Sequence, residues 1–418
     1  MIGVKPMFTR RTFMTSVAAG MGGVALSSLP QVLDTSSRDR LLGMFVMGAY
    51  GDALGSWNES HGGLSGQTSV PELVSIQGSG YAKPHPWGYW IADQNGPVVT
   101  DDTAYRICIL HPYLRLCLEN QAPISEQGLW ESVTQSDPHS NARIQSMRMG
   151  QARDWQKMRE SARRNESHLF YTPNEPVVFG LYSALELAAL YKHQTPLAVY
   201  QRFSQFSELD QGAGGALTGL LASVMAAAHR DETIQRGKFC AWWNGTLDDI
   251  IASVSNRQPS AELDLLINQR RVARALAKNW SHTRPHEFVR HLCDSIFYNA
   301  GFRQKVQQPY LCELFWMYMS SVADFAGEDD GLLLRTLASC AGDSDTMASM
   351  MGSIMGACYG RQSCGKIMSG DRSLEQDLNR IENVLSEDFQ VNLNESATVF
   401  ERLTIQMKEE PARQQVKP

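Results

Sequence analysis

The chain has 418 residues, 43% hydrophobic and 20% charged, which excludes a disordered, collagen-like or charged coiled-coil protein and suffices for a substantial core. Lys and Arg number 38 against 44 Asp and Glu, a net charge of −6, and no long basic run occurs. That balance argues against a nucleic acid or an anionic membrane as the main partner.

At the N-terminus, Thr9-Arg10-Arg11-Thr12-Phe13 precedes a mild Gly/Ala-rich apolar run ending at Leu26. The arginine pair and the run resemble a twin-arginine export signal, the other reading being a short amphipathic or membrane-anchoring N-terminal helix. The expectation is a signal peptide over residues 1–30 and a mature protein in the periplasm or outside the cell, with no stable membrane insertion after processing. Because that route carries folded proteins, a metal site can be loaded before export. Past the leader, no apolar stretch of about 18 residues occurs, so a polytopic membrane protein is excluded.

Helix signals then dominate. Ser36 and Ser37 precede an apolar run over 41–48, which is expected to end in the glycines of Gly51-Asp52-Ala53-Leu54-Gly55. Thr195-Pro196 supplies an N-cap and an N1 proline for a helix over 197–206. Residues 214–229, nearly all Ala, Leu and Gly, predict a buried helix. Two more starts are expected at Thr246-Leu247-Asp248-Asp249 and Ser260-Ala261-Glu262, where acidic first turns suit the helix dipole. Pro309 opens a long apolar segment to Phe325, and periodic stretches follow over 331–340, 346–361, 374–386 and 394–408. In the third-last of these, Ala348, Gly352, Gly356 and Gly360 place small residues on one face, which predicts a closely packed partner helix. The fold class is therefore all-α, one domain over 36–408, with a polar, disordered tail over 409–418. Two stretches read as irregular: 56–99, rich in Gly, Ser, Pro and aromatic residues, and 170–176. The eight cysteines form no metal-binding spacing and sit mostly in apolar helical stretches, as buried core thiols would.

Chemistry concentrates in three acidic clusters at expected helix ends: Gly51-Asp52-Ala53-Leu54-Gly55 with Glu59, Thr100-Asp101-Asp102-Thr103, and Gly342-Asp343-Ser344-Asp345-Thr346. Either of the last two alone is explained by helix capping. Together they offer four carboxylates and hydroxyls, and buried carboxylates repel unless a cation lies between them. Hard oxygen donors without His or Cys point to Mg²⁺, Mn²⁺ or Ca²⁺ in preference to zinc.

This ordered set of G-D-A-L-G, T-D-D-T and G-D-S-D-T resembles the ADP-ribosylglycohydrolase family over most of the chain, from Leu41 to about Gly360. The resemblance implies an all-α fold with a binuclear Mg²⁺ centre, or Mn²⁺ in its place, that hydrolyses the bond between ADP-ribose and a protein side chain or small molecule. It implies Thr100, Asp101 and Asp102 as one half of the metal site and Asp343, Asp345 and Thr346 as the other. Glu59 and Asp102 are the catalytic candidates, and Glu59, Asp210, Gly342 and Ser344 the candidates for substrate contact. Asp52 shapes the turn that presents Glu59, or caps it. Ser344 stands where the family more often has Thr, and the stretches 172–180 and 207–214 match the family's substrate-gripping segments poorly. Two other functions remain open: a catalytically silent relative that binds ADP-ribose or serves a structural role, and a dimetal hydrolase of another nucleoside or phosphate compound.

Overall fold

In the computed structural model, described residues are 35–61, 99–100, 102–103, 106–125, 128, 179–205, 213–231, 234–278, 280, 284–298, 311–367, 372–388 and 390–414. Among them there are helices and no strands, as the all-α expectation requires. The signal expected over 1–30 lies outside the described residues.

The first helix, α1, runs over Thr35–His61 without a break. The sequence predicts a stop at Gly51–Gly55 and irregular chain over 56–99; the stop fails, and so does the irregular reading over 56–61, while 62–98 lie outside the described residues. Glycine inside a helix costs about 1 kcal/mol relative to alanine, so something must offset it. The offset is an intimate contact with helix α11, Ser344–Tyr359. A Cβ on Gly51 would lie 2.0 Å from the Ala348 carbonyl oxygen, one on Gly43 2.2 Å from that of Gly356, and one on Gly352 2.3 Å from that of Met47. The paired positions run in opposite directions, so α1 and α11 are antiparallel along a seam where backbone touches backbone. The small-residue face of 348–356 thus has the partner helix its spacing predicts.

Between them in sequence come α2 (His111–Asn120), α3 (Phe179–Ala188), α4 (Pro196–Phe203), α5 (Gly214–Arg230), α6 (Phe239–Ser255), α7 (Ala261–Ala277), α8 (Pro285–Leu292), α9 (Leu311–Ala326) and α10 (Asp330–Ala338). After α11 come α12 (Arg361–Cys364), α13 (Arg372–Asn383) and α14 (Leu393–Gln414). The Thr195 hydroxyl caps α4 by accepting from Ala198 N, and the Ser260 hydroxyl caps α7 by accepting from Leu263 N, as both sequence signals require. Helix α5 is buried along nearly its whole length and packs against α3, α4, α6 and α11. Helix α6 begins at Phe239 instead of Thr246, because Phe239, Cys240 and Trp243 bury an apolar turn ahead of the acidic pair. Asp248 then lies in mid-helix, where it pairs with the Arg270 guanidinium of α7 at 2.9 Å. Trp316 of α9 is fully buried and donates its indole N–H to the Leu266 carbonyl of α7 at 2.7 Å. Helix α14 continues to Gln414, past residue 409 where the sequence predicts a disordered tail. Seven cysteines are free and buried, in line with core thiols, while the Cys108 side chain is outside the described set. No described helix is long and apolar enough to cross a membrane.

Candidate metal centre

The seam between α1 and α11 sets the site. Asp52 follows Gly51 and lies one turn from both Gly48 and Gly55, so its register turns it toward α11. At the same end of the seam, a Cβ on Gly55 would lie 2.4 Å from Asp345 Cα. The chain enters α11 through Gly342, whose φ of +111° is a backbone state that side chains disfavour. Two further ties hold that entry: the Ser344 hydroxyl donates to the Gly55 carbonyl at 2.9 Å, and the Asn58 amide donates to the Cys340 carbonyl at 2.6 Å.

Asp52 is fully buried, and its carboxylate gathers the T-D-D-T segment. It accepts from Thr100 N at 2.9 Å, from the Thr100 hydroxyl at 2.7 Å and from Thr103 N at 3.1 Å, and the Thr103 hydroxyl also donates to it. Burial pushes its carboxyl above the ordinary 3.8, against the opposing pull of those hydrogen bonds. The Thr100 and Thr103 amides are therefore capped from far upstream, by Asp52. On the other side, the Thr346 hydroxyl donates to Asp102 Oδ2 at 3.1 Å, across a separation of 244 residues. Asp343 occupies the N-cap position of α11, yet its side chain makes no capping hydrogen bond.

Asp52, Asp102 and Asp345 are all buried, and each offers a carboxylate oxygen within 4.8 Å of the other two. The donor set is hard oxygen alone, which fits a divalent cation of the Mg²⁺, Mn²⁺ or Ca²⁺ type. The hydrogen bonds divide the labour. Both Asp52 oxygens are already engaged by four donor groups, which leaves it little capacity to ligate. Thr100 and Thr346 spend their protons on Asp52 and Asp102, and although Thr100 Oγ1 also accepts from Asp102 N at 3.4 Å, each hydroxyl oxygen keeps lone-pair capacity for a cation.

Of the residues the sequence singles out, Asp102, Asp345, Thr100 and Thr346 are thus drawn into one locus, with half-buried Asp343 and buried Gly342 and Ser344 on the adjoining turn. Ser344 spends its hydroxyl on the Gly55 carbonyl. Glu59 lies in the last turn of α1, seven residues after Asp52 in the sequence, and its side chain is outside the described set. Asp101 and Asp210 lie outside the described residues, as do 172–178. The residue that sequence reasoning undervalued is Asp52. Its signal was present: an aspartate inside a helical run, flanked at three and four residues by glycines, belongs to a buried helix contact and not to a turn.

The profile of the family described as ADP-ribosylglycohydrolase matches residues 33–376. No curated protein matches the chain. The chain belongs to the ADP-ribosylglycohydrolase family, a metal-dependent one, and the buried aspartate cluster is of a kind that can bind metal.

Proposed function

From membership of that family we propose that this protein is a divalent-cation-dependent glycosidase that releases ADP-ribose from a protein side chain or a small molecule. The observation that carries the reading is the meeting of buried Asp52, Asp102 and Asp345, brought together from three distant parts of the chain. Three buried negative charges in that space repel strongly and call for a counter-charge. The proposed occupants are two Mg²⁺ ions, or Mn²⁺, held by Thr100, Asp101, Asp102, Asp343, Asp345 and Thr346. Bound there, such ions supply the positive charge that offsets the carboxylates and polarises oxygen groups beside them.

The chain's own residues do the remaining work. Cleavage of a ribosyl C1–N or C1–O bond develops positive charge on the sugar ring, which nearby carboxylates stabilise. Asp52 keeps Thr100 and Thr103 in place, so the oxygens of the T-D-D-T segment need no reorganisation as the reaction proceeds. Glu59, close in register to the site and outside the ligand set, is the proposed proton carrier between water and leaving group. Substrate contacts are assigned to Glu59, Asp210, Gly342 and Ser344. By the N-terminal arginine pair, the enzyme is proposed to act in the periplasm or outside the cell.

The test is a panel of Arg-, Ser-, Cys- and Glu-linked ADP-ribosyl peptides together with O-acetyl-ADP-ribose, each incubated with Mg²⁺ and with chelator. Release of ADP-ribose from at least one, abolished by chelator and by Glu59→Gln, is the expected result. Release that survives chelation would reject the cation-dependent reading.

A further inference from the structure

Four residues after Asp102, the chain places Arg106 in a buried charge cluster with no part in the chemistry above. Its Nε donates to Glu186 Oε1 at 2.6 Å, and Nη2 pairs with the same oxygen at 2.5 Å. Its Nη1 donates to the Ser349 hydroxyl at 2.9 Å. The second Glu186 oxygen lies 3.0 Å from His111 Nε2, and His111 Nδ1 lies 3.1 Å from the Ser396 hydroxyl. Arg106 is 2% exposed and Glu186 fully buried.

The positions of these partners matter more than their number. Arg106 opens the short helical segment Arg106–Leu110, four residues after Asp102 in the sequence, whereas Ser349 stands one helical turn beyond Asp345 on α11. A single guanidinium therefore ties the chain four residues past Asp102 to the helix that bears Asp345. The space for it is made by α1: a Cβ on Gly48 would lie 2.5 Å from both terminal nitrogens and 2.2 Å from the Ser353 hydroxyl. The glycine leaves the guanidinium room where it crosses the seam, and a larger residue there would have to displace it.

We infer that Arg106 is a positioning residue for the cation site, bridging its two halves through Ser349, and that Glu186 neutralises it so that it does not compete with a cation for Asp102 and Asp345. The inference rests on the cation-site reading above. A buried arginine close to buried carboxylates would, if unpaired, satisfy them itself and leave nothing for a metal. Glu186 commits the charge elsewhere. Burial alone would raise the Glu186 pKa, but the Arg106 charge and the hydrogen bonds from His111 and Arg106 outweigh it and bring it down to about 2, so the neutralising charge is held firmly. Partners one shell out from metal ligands commonly change metal affinity by about 10- to 100-fold when removed.

The experiment is calorimetric titration of the full chain with Mn²⁺, supported by the Mn²⁺ paramagnetic resonance spectrum, for wild type, Ser349→Ala, Glu186→Gln and the control Ser223→Ala. Ser223 is another buried hydroxyl, which donates to the Gly219 and Pro196 carbonyls of a different helix contact. All titrations are run well below the melting temperature of each variant. We expect Ser349→Ala to weaken Mn²⁺ about tenfold, Glu186→Gln to weaken it by more, and Ser223→Ala to leave it unchanged whatever it does to melting. A folded Ser349→Ala with wild-type affinity would overturn the inference, even if Glu186→Gln fails to fold. Equal weakening by Ser223→Ala would reduce the effect to general destabilisation and overturn it as well. Absence of Mn²⁺ binding by the wild type would instead overturn the cation-site reading on which it stands.

Discussion

Gly51→Ala tests the seam and the site at once. The new Cβ would sit 2.0 Å from the Ala348 carbonyl oxygen and 2.4 Å from its carbon, both backbone atoms that cannot rotate aside. Ordinary van der Waals contact begins near 3.4 Å, so α1 and α11 must part by roughly 1 Å at that level. Overpacking of this kind costs up to about 3 kcal/mol, and the better helix propensity of alanine returns about 1, for a net loss of about 2 kcal/mol. Gly356→Ala is the companion, since its Cβ would lie 2.0 Å from the Gly43 carbonyl oxygen at the other end of the contact. Positions 348 and 356 are about 12 Å apart along α11, so that second wedge opens the seam away from Asp52 and Asp345. Denaturant unfolding and Mn²⁺ calorimetry on both variants separate the two consequences. Both should lose about 2 kcal/mol, but only Gly51→Ala should lose cation affinity, because its wedge lies beside Asp52. A Gly51→Ala protein with unchanged unfolding and unchanged affinity would refute the reasoning.

Two other perturbations follow from buried charge. Two carboxylates within 4.8 Å of each other repel by at least about 3 kcal/mol at an effective dielectric of about 20, so Asp345→Asn should raise the melting temperature in chelator while abolishing the rise that Mg²⁺ gives the wild type; a lower melting temperature than wild type in chelator would contradict this. His229, buried in α5, is held neutral in the fold, as burial and then the Lys192 and Arg40 charges bring its pKa from 6.5 down to about 3. The unfolded chain binds that proton below 6.5 and the folded chain does not, so this stability is complete above 6.5 and is lost progressively as pH falls from 6.5 toward 3. About 2 kcal/mol should be gone by about pH 5, and His229→Met should flatten that limb; urea midpoints at about pH 7 and about pH 5 for both proteins check it, and parallel pH dependences would refute it.

Much of the fold is legible from local chemistry. The Thr195 and Ser260 caps and the apolar run of α5 signal helices that need little from the rest of the chain, and the helices appear there. What the sequence hides is long-range compensation. Glycines in α1 read as a stop because a lone helix has no reason to carry them, and the reason lies some 300 residues away at Ala348 and Gly356. The acidic pair at Asp248 reads as a helix start until Arg270 of another helix is seen to hold it in mid-helix. The site divides in the same way. Asp52, Asp102 and Asp345 all stand out by motif, whereas the role of Asp52 as the anchor of Thr100 and Thr103, and the contact of Arg106 with Ser349, depend on partners that only the fold supplies.

The most direct measurement is the anomalous X-ray scattering of Mn²⁺ in crystals of this protein. The account predicts a strong peak within bonding distance of Asp102 and Asp345, with Asp52 beside it still holding the Thr100 and Thr103 donors. Density for the three side chains with no peak between Asp102 and Asp345 at saturating Mn²⁺, or a peak elsewhere in the chain, would contradict it.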